Sequence, residues 1–249
     1  MKNFGLIGHK LSHSFSRKFF NQKFLEENIP AQYDNYELRD IDKVKSIFEK
    51  TIISGMNVTV PFKNSVIKHL DFLDPLSMEI MAVNTILPEY KNDNLISLKG
   101  FNTDVYGFHQ MIKPYLKSYH ERALVFGTGG ASSAVNYVLR NYNIDVNFIS
   151  RHPDSEAKNV FSWNEVNEDM IAHHFLIINT TPIGMYPKVN DSLNLPYHAI
   201  GKNHLAIDLI YNPKETFFLK KAKNNNAQIL NGYSMLVHQA LKAWNIWNS

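Results

Sequence analysis

The chain has 249 residues, 44% hydrophobic and 20% charged, with a formal net charge of +3; this is enough for one large domain or two modest ones with real cores. It contains no cysteine, which excludes disulfides, thiolate chemistry and Cys-ligated metal centres, and its basic residues are scattered, so no nucleic-acid partner is expected. The opening "MKNFGLIGHKLSHS" has too short an apolar run for a signal peptide, and no run of about 18 apolar residues occurs anywhere, so a cytoplasmic protein without a membrane partner is expected.

In chain order, "NFGLIG" (3–8) reads as a strand ending in glycine. "SFSRKFFNQKFLEEN" (14–28) reads as a helix with Phe15, Phe19, Phe20, Phe24 and Leu25 on one face and Pro30 beyond it. "AQYDNYEL" (31–38) is a strand, and "DIDKVKSIFEKT" (40–51) a helix opened by Asp40. "GMNVTVPFK" (55–63) alternates Asn57 and Thr59 with Val58 and Val60, the pattern of a strand with two unlike faces, and Pro61 stops it. Pro61 also suits the first position of a helix running to about Leu70. Short strands follow around "AVNTILP" and "NLISLKG". This βαβα order predicts a largely parallel sheet with helices on its faces.

A second unit opens with "NTDVYGFHQMIKPYL" (102–116), a helix with Asn102 or Thr103 as cap. A buried strand, a glycine-rich turn and a helix follow in "RALVFGTGGASSAVNYVLRN" (122–141). "IDVNFIS" (144–150), "HFLIINTT" (174–181) and "HLAIDLIYNP" (204–213) read as further buried strands, with helical segments between them. "AQILNG" (227–232) closes the unit, and 233–248 reads as an amphipathic terminal helix. The expected architecture is two α/β domains with a ligand cleft between them, because open α/β sheets bind ligands beyond the carboxyl ends of their strands.

Gly127 and Gly129 fit G-x-G between a strand and a helix, with Ser132 in place of the third glycine. Such glycines let the backbone approach a pyrophosphate, and the helix N-terminus adds N–H donors; the alternative is a plain strand-to-helix turn. About 20 residues on, where an NAD-binding chain places a carboxylate, the strand ends at Ser150 and Arg151 follows. A guanidinium pairs with a 2′-phosphate that a carboxylate would repel, so Arg151 argues for NADP over a surface arginine.

Polar residues gather at strand ends in the first hundred residues. Ser12 and Ser14 are possible helix caps, and Ser14 with Ser16 at a helix N-terminus would also suit a carboxylate. His13 reads equally as a packed or a functional histidine. Asn84 in "AVNTI" and Asp104 in "GFNTD" stand beside apolar runs, and Asp104 has a complete alternative explanation as a first-turn carboxylate. Tyr211 and Gln239 carry weaker signals.

Taken together, "GLIGHKLSHSFS", "GMNVTVPFK", "AVNTI", "GFNTD", "GTGGAS", "INTTPIGM", "DLIYNP" and "NGYSMLVHQA" resemble, in order, the motifs of the shikimate dehydrogenase family. The resemblance implies an oxidoreductase that reversibly reduces 3-dehydroshikimate to shikimate with NADPH, a step of aromatic amino-acid biosynthesis. It implies a substrate domain of residues 1–102 plus 233–249, with a mainly parallel sheet, and a Rossmann-type cofactor domain of residues 103–232. Matched motif by motif, it makes Lys63 and Asp104 the catalytic pair and Ser14 and Ser16 the carboxylate-binding serines. Asn57, Thr59, Asn84, Tyr211 and Gln239 become substrate contacts. Gly127, Gly129, Gly130 and Ala131 become the pyrophosphate turn, Ser150 and Arg151 the adenosine-phosphate clamp, and Thr180, Leu209 and Gly232 the nicotinamide side. No metal is implied, and the chain would be a monomer or homodimer.

Two departures stand out: Lys10 occupies a position where the family often has proline, and in "SRHPDSEAK" Lys158 is the one possible second cation of the clamp. Two other readings compete. One is a quinate/shikimate dehydrogenase with wider substrate or NAD use; the other is a non-catalytic nucleotide-sensing protein on the same scaffold.

Overall fold

A computed structural model describes residues 1–12, 14–153 and 156–249; His13, and Asp154 and Ser155 of "SRHPDSEAK", lie outside the described residues. The chain forms two units, Met1–Asp104 with Gln239–Ser249, and Val105–His238.

The first unit contains β1 (Lys2–Gly8), α1 (Phe15–Glu26), β2 (Ala31–Glu37), α2 (Val44–Lys50), β3 (Gly55–Val58), β4 (Phe72–Leu73), α3 (Pro75–Ile80), β5 (Thr85–Lys91) and β6 (Asn94–Phe101). Its six strands lie in the order β2-β1-β3-β5-β6-β4. β1 pairs in parallel with β2 and β3, and β4 with β6. β3–β5 and β5–β6 are antiparallel, so the two strands after Asn84 form a hairpin within a mainly parallel sheet. The hairpin turns on Asn92 and Asp93, both at positive φ, the requirement of a two-residue turn between twisted strands. α3, opened by Asp74 and Pro75, and β4 are additions to the expected elements.

An aromatic core of Phe4, Phe20, Phe24, Tyr33 and Trp247 fills one side of this sheet, with Ala240 and Ala243 letting the last helix approach closely. Gly55 in β3 is glycine for a local reason: a Cβ there would stand 2.3 Å from Cδ1 of Trp247. The Trp247 indole N–H donates to the Ile86 carbonyl at 3.1 Å, tying residues 239–249 to β5.

The helix expected from Pro61 to Leu70 is not formed. The chain turns through residues 60–64, and only a short 3-10 helix, Ser65–His69, follows. Backbone partners from elsewhere explain this. Val83 N–H donates to the Lys63 carbonyl at 2.8 Å, and Asn64 Nδ2 donates to the Met81 carbonyl at 2.7 Å. These bonds hold residues 63 and 64 against the segment that leads into β5, in a turn rather than a helix. The two-faced strand is likewise shorter than expected: Gly55–Val58 is buried throughout, while Val60 is 72% exposed.

The remaining elements are α4 (Asp104–Ile112), β7 (Arg122–Phe126), α5 (Gly130–Asn141), β8 (Asp145–Ser150), β9 (Val160–Ser162), α6 (Glu168–Ala172), β10 (Leu176–Asn179), β11 (Leu205–Asp208), α7 (Phe217–Asn224), β12 (Gln228–Asn231) and α8 (Tyr233–Trp247). The second unit's sheet runs β12-β11-β10-β7-β8-β9, every pair parallel. Counted within the unit from the β9 edge this is 3-2-1-4-5-6, the doubly wound order whose ligand crevice opens between the first and fourth strands, here β7 and β10. The strands are near-continuous apolar runs because helices cover both faces, and Leu124, Phe126, Ile177, Ala206, Phe218 and Leu219 join in one core. β9, three residues long, is a further addition to the expected strands.

Candidate active site

In the first unit, Lys63 and Asp104 meet. Lys63 Nζ donates to Asp104 Oδ2 at 2.6 Å, with the side chains 15% and 6% exposed. A charge-assisted bond this short, largely shielded from water, is stronger than a surface ion pair. Two elements deliver the partners: the turn after β3 carries the lysine, and Asp104 opens α4.

Asn84 holds the carboxylate in place. Its Nδ2 donates to Asp104 Oδ1 at 2.9 Å, and its Oδ1 accepts from Thr103 N–H at 2.8 Å and from the hydroxyls of Thr103 and Thr85, each at 3.1 Å. Gln239 Oε1 lies 3.5 Å from Asn84 Nδ2 and 3.4 Å from the Thr103 hydroxyl, at the long edge of hydrogen bonding. Thr103 therefore directs its hydroxyl toward these side chains, whatever it does for the helix end.

Asn57 is buried and joins the same group. Its Nδ2 donates to the Asn84 carbonyl and to Thr85 Oγ1, both at 3.1 Å, and its Oδ1 accepts from the Tyr33 hydroxyl at 2.8 Å. Thr59 is half-buried; its backbone N–H donates to the Ile7 carbonyl, and its methyl, with Leu11 Cδ2, is what a Cβ at Gly8 would strike, at 2.7 and 2.6 Å. Ser14 is the N-cap of α1, its Oγ accepting from Arg17 N–H at 3.1 Å, so its proton is left for another acceptor. Ser16 is buried in the first turn of α1. The structure thus brings Asn57, Asn84, Asp104, Gln239 and Lys63 into one chain of polar contacts, which Ser14 and Ser16 do not join through a direct hydrogen bond. Tyr33, Thr85 and Thr103 complete it. Sequence reasoning misses Tyr33, because within "AQYDNYEL" it reads as one more strand aromatic.

The second unit carries the expected cofactor residues at its β7–β10 crevice. Gly127 follows β7 at φ +104°, a conformation that excludes most side chains, and a Cβ there would stand 2.8 Å from Thr180 Oγ1. Thr180 follows β10 and clamps the two strand ends, its N–H and hydroxyl both donating to the Phe126 carbonyl at 3.0 and 2.7 Å. At Gly129 a Cβ would meet no atom within 4 Å, so the chain's own packing does not require glycine there. Gly129 caps α5 without a side chain, which leaves the first-turn donors of Gly130 and Ala131 to an anion. Open space over such a helix end fits a pyrophosphate. Ser132, in the third glycine's place, is buried and donates to the Gly129 carbonyl at 2.6 Å.

Ser150 ends β8 and accepts from His152 N–H, while Arg151 and Lys158 are exposed. Leu209 and Gly232 touch: a Cβ at Gly232 would stand 2.0 Å from the Leu209 carbonyl oxygen. Tyr211 is half-buried just beyond β11 in this unit. Among the described residues no group of three or more His, Asp or Glu side chains could hold a metal ion, and no helix is long and apolar enough to cross a membrane.

An α/β chain with a lysine–carboxylate pair in one unit and a doubly wound dinucleotide crevice in the other belongs to the nicotinamide-dependent oxidoreductases. The model of the shikimate dehydrogenase substrate binding domain matches residues 6–86. The shikimate dehydrogenase (NADP(+)) of Clostridium beijerinckii is 38% identical over 99% of this chain and 92% of its own, so the chain belongs to the shikimate dehydrogenase family. The crystal structure of shikimate dehydrogenase 1 from Peptoclostridium difficile is 36% identical, with a TM-score of 0.85 over 100% of this chain and 92% of that one. Shikimate 5-dehydrogenase from Thermus thermophilus, solved with NADP(H) and shikimate, is 28% identical, with a TM-score of 0.84 over 99% of this chain and 93% of that one.

Asn179 and Asp208 end β10 and β11 side by side. Each bonds the backbone N–H two residues on, Thr181 at 2.9 Å and Ile210 at 3.0 Å, and Asn179 Nδ2 donates to Asp208 Oδ1 at 3.1 Å. Burial pushes the Asp208 carboxyl up to about 6, against the pull of its bonds from Thr216, Ile210 and Asn179. A carboxyl raised in the folded state holds its proton more tightly there than in the unfolded chain, so its contribution to stability declines as pH rises. The melting temperature is expected to lose a component as pH rises from the ordinary value near 3.8 through about 6. Asp208→Asn removes that component; thermal melts across this range that keep the same slope in both proteins would overturn the assignment.

Proposed function

We propose that this chain catalyses the reversible, NADP-dependent interconversion of 3-dehydroshikimate and shikimate. The first unit would hold the substrate, in a domain of residues 1–102 plus 233–249, and residues 103–232 the cofactor. The observation that carries the reading is the Lys63–Asp104 pair, 2.6 Å apart and braced by Asn84. It is supported by the family membership and by a relative solved with both NADP(H) and shikimate.

NADPH, when bound, supplies the hydride. As the ketone oxygen gains negative charge, the Lys63 ammonium stabilises it and gives it a proton. Asp104 aims that ammonium and accepts a hydrogen bond from the neighbouring ring hydroxyl, and Asn84 keeps the carboxylate from turning away. Ser14, whose proton is not used by its capping bond, donates to the substrate carboxylate. Gly127, Gly129, Gly130 and Ala131 cradle the pyrophosphate, and Arg151 pairs with the 2′-phosphate. We place the enzyme in the cytoplasm, as a monomer or homodimer.

Following NADPH absorbance while crossing shikimate and quinate with NADP and NAD tests this directly. The shikimate–NADP pair is expected to react fastest, and no turnover with any pair would reject the reading in favour of a nucleotide-sensing protein. Lys63→Ala is expected to lower kcat by about 10²–10⁴-fold, since the lysine acts on developing charge, while NADP binding measured by titration persists. Near-normal turnover would remove the lysine assignment. Arg151→Ala is expected to raise KM for NADP far more than KM for NAD; an equal rise would cancel the 2′-phosphate argument.

A further inference from the structure

The hydrogen bonds around Asn57 have a fixed direction, and it leads to a residue without an assigned role. A backbone carbonyl can only accept, so the bond to the Asn84 carbonyl fixes Nδ2 of Asn57 on that side and turns Oδ1 toward Tyr33. The Tyr33 hydroxyl must then give its single proton to Asn57. The direction runs one way, from the Tyr33 hydroxyl to Asn57 and on to the Asn84 carbonyl. Asn84 in turn holds Asp104 through its side chain.

Tyr33 is built to be immobile. It is 0% exposed, and its ring stacks on Phe20 at 4.7 Å with 12° between planes. β2 is an edge strand, yet Tyr33 has no open backbone there: Asn21 of α1 accepts from its N–H at 2.9 Å and donates to its carbonyl at 2.8 Å. A ring held on both counts presents its hydroxyl at one place. Asn57, with both amide protons engaged, can address a ligand only through the remaining lone pair of Oδ1, whose direction the Tyr33 bond sets.

We propose that Tyr33 is a positioning residue of the substrate site, aiming Asn57 Oδ1 at a substrate hydroxyl. The inference rests on the functional reading above.

The test is steady-state kinetics of wild type, Tyr33→Phe, Asn57→Ala and the double variant, with shikimate and NADP each varied. Tyr33→Phe keeps the ring and removes one hydrogen bond, so KM for shikimate should rise about fivefold to tenfold. Loss of an interaction present equally in ground and transition states leaves kcat and KM for NADP close to wild type. In the Asn57→Ala background the same substitution should add nothing further. An unchanged KM for shikimate, an equal rise in both KM values, or full additivity would overturn the proposal while leaving the functional reading intact. A wild type inactive on shikimate would overturn both. If Tyr33→Phe does not fold, Asn21→Ala, which releases the Tyr33 backbone, is measured instead: a rise in KM for shikimate without one for NADP supports the proposal, and an unchanged KM for shikimate refutes it.

Discussion

One backbone hydrogen bond governs the first unit's chemistry, the 2.8 Å bond from Val83 N–H to the Lys63 carbonyl. It draws the turn after β3 onto the segment that leads into Asn84, and so keeps the lysine out of a helix. With the backbone of residues 81–84 fixed against residues 58–64, the Asn84 side chain and the Lys63 side chain approach Asp104 from two directions. The two oxygens of that carboxylate then have separate partners. A buried ion pair of this kind gains little net stability, because desolvating both charges offsets their attraction. Its value lies in geometry: an ammonium whose position is set before any ligand arrives needs no reorganisation as charge develops.

The second unit reaches the same end by different means. No ion pair shapes its crevice among the described residues; strand ends do. Thr180 clamps β10 to β7 through one carbonyl, while Asn179 and Asp208 stop two neighbouring strands at the same level and bond each other. The chain beyond each strand therefore leaves from a fixed point. Gly127 and Gly232 sit where neighbouring backbone or side-chain oxygens leave no room for a side chain, but Gly129 sits under open space. Two glycines satisfy the protein, and one leaves room for what it binds.

Much of this is legible in the residues themselves. The parallel α/β class follows from apolar strand runs alternating with helices, and the glycine turn marks the crevice because only backbone can approach a pyrophosphate closely. What is not legible depends on distant partners. Pro61 is a sound helix-starting signal, yet the Lys63 carbonyl and the Asn64 side chain just after it bond to Val83 and Met81, about twenty positions away in sequence. The antiparallel hairpin β5–β6 is hidden because a strand's direction is a property of its neighbours. Tyr33 looks like core, and its ring is core; only its hydroxyl has another use. Lys63 and Asp104 can both be named from the sequence, but their contact spans 41 positions and no local pattern encodes it.

The Trp247 indole lies over Gly55 and bonds to β5, so the core of the first unit includes residues that the ribosome adds only after the whole of the second unit. The two cores can thus be completed in the reverse of the order in which their first residues are made. Residues 105–238 are contiguous and can pack as soon as they emerge. The residues before them wait, with Phe4, Phe20 and Tyr33 lacking their tryptophan, until the final turn of α8 has been made. The lysine–aspartate site thus rests on a core that is complete only once the residues of the dinucleotide crevice have been made, though its own residues are translated before them.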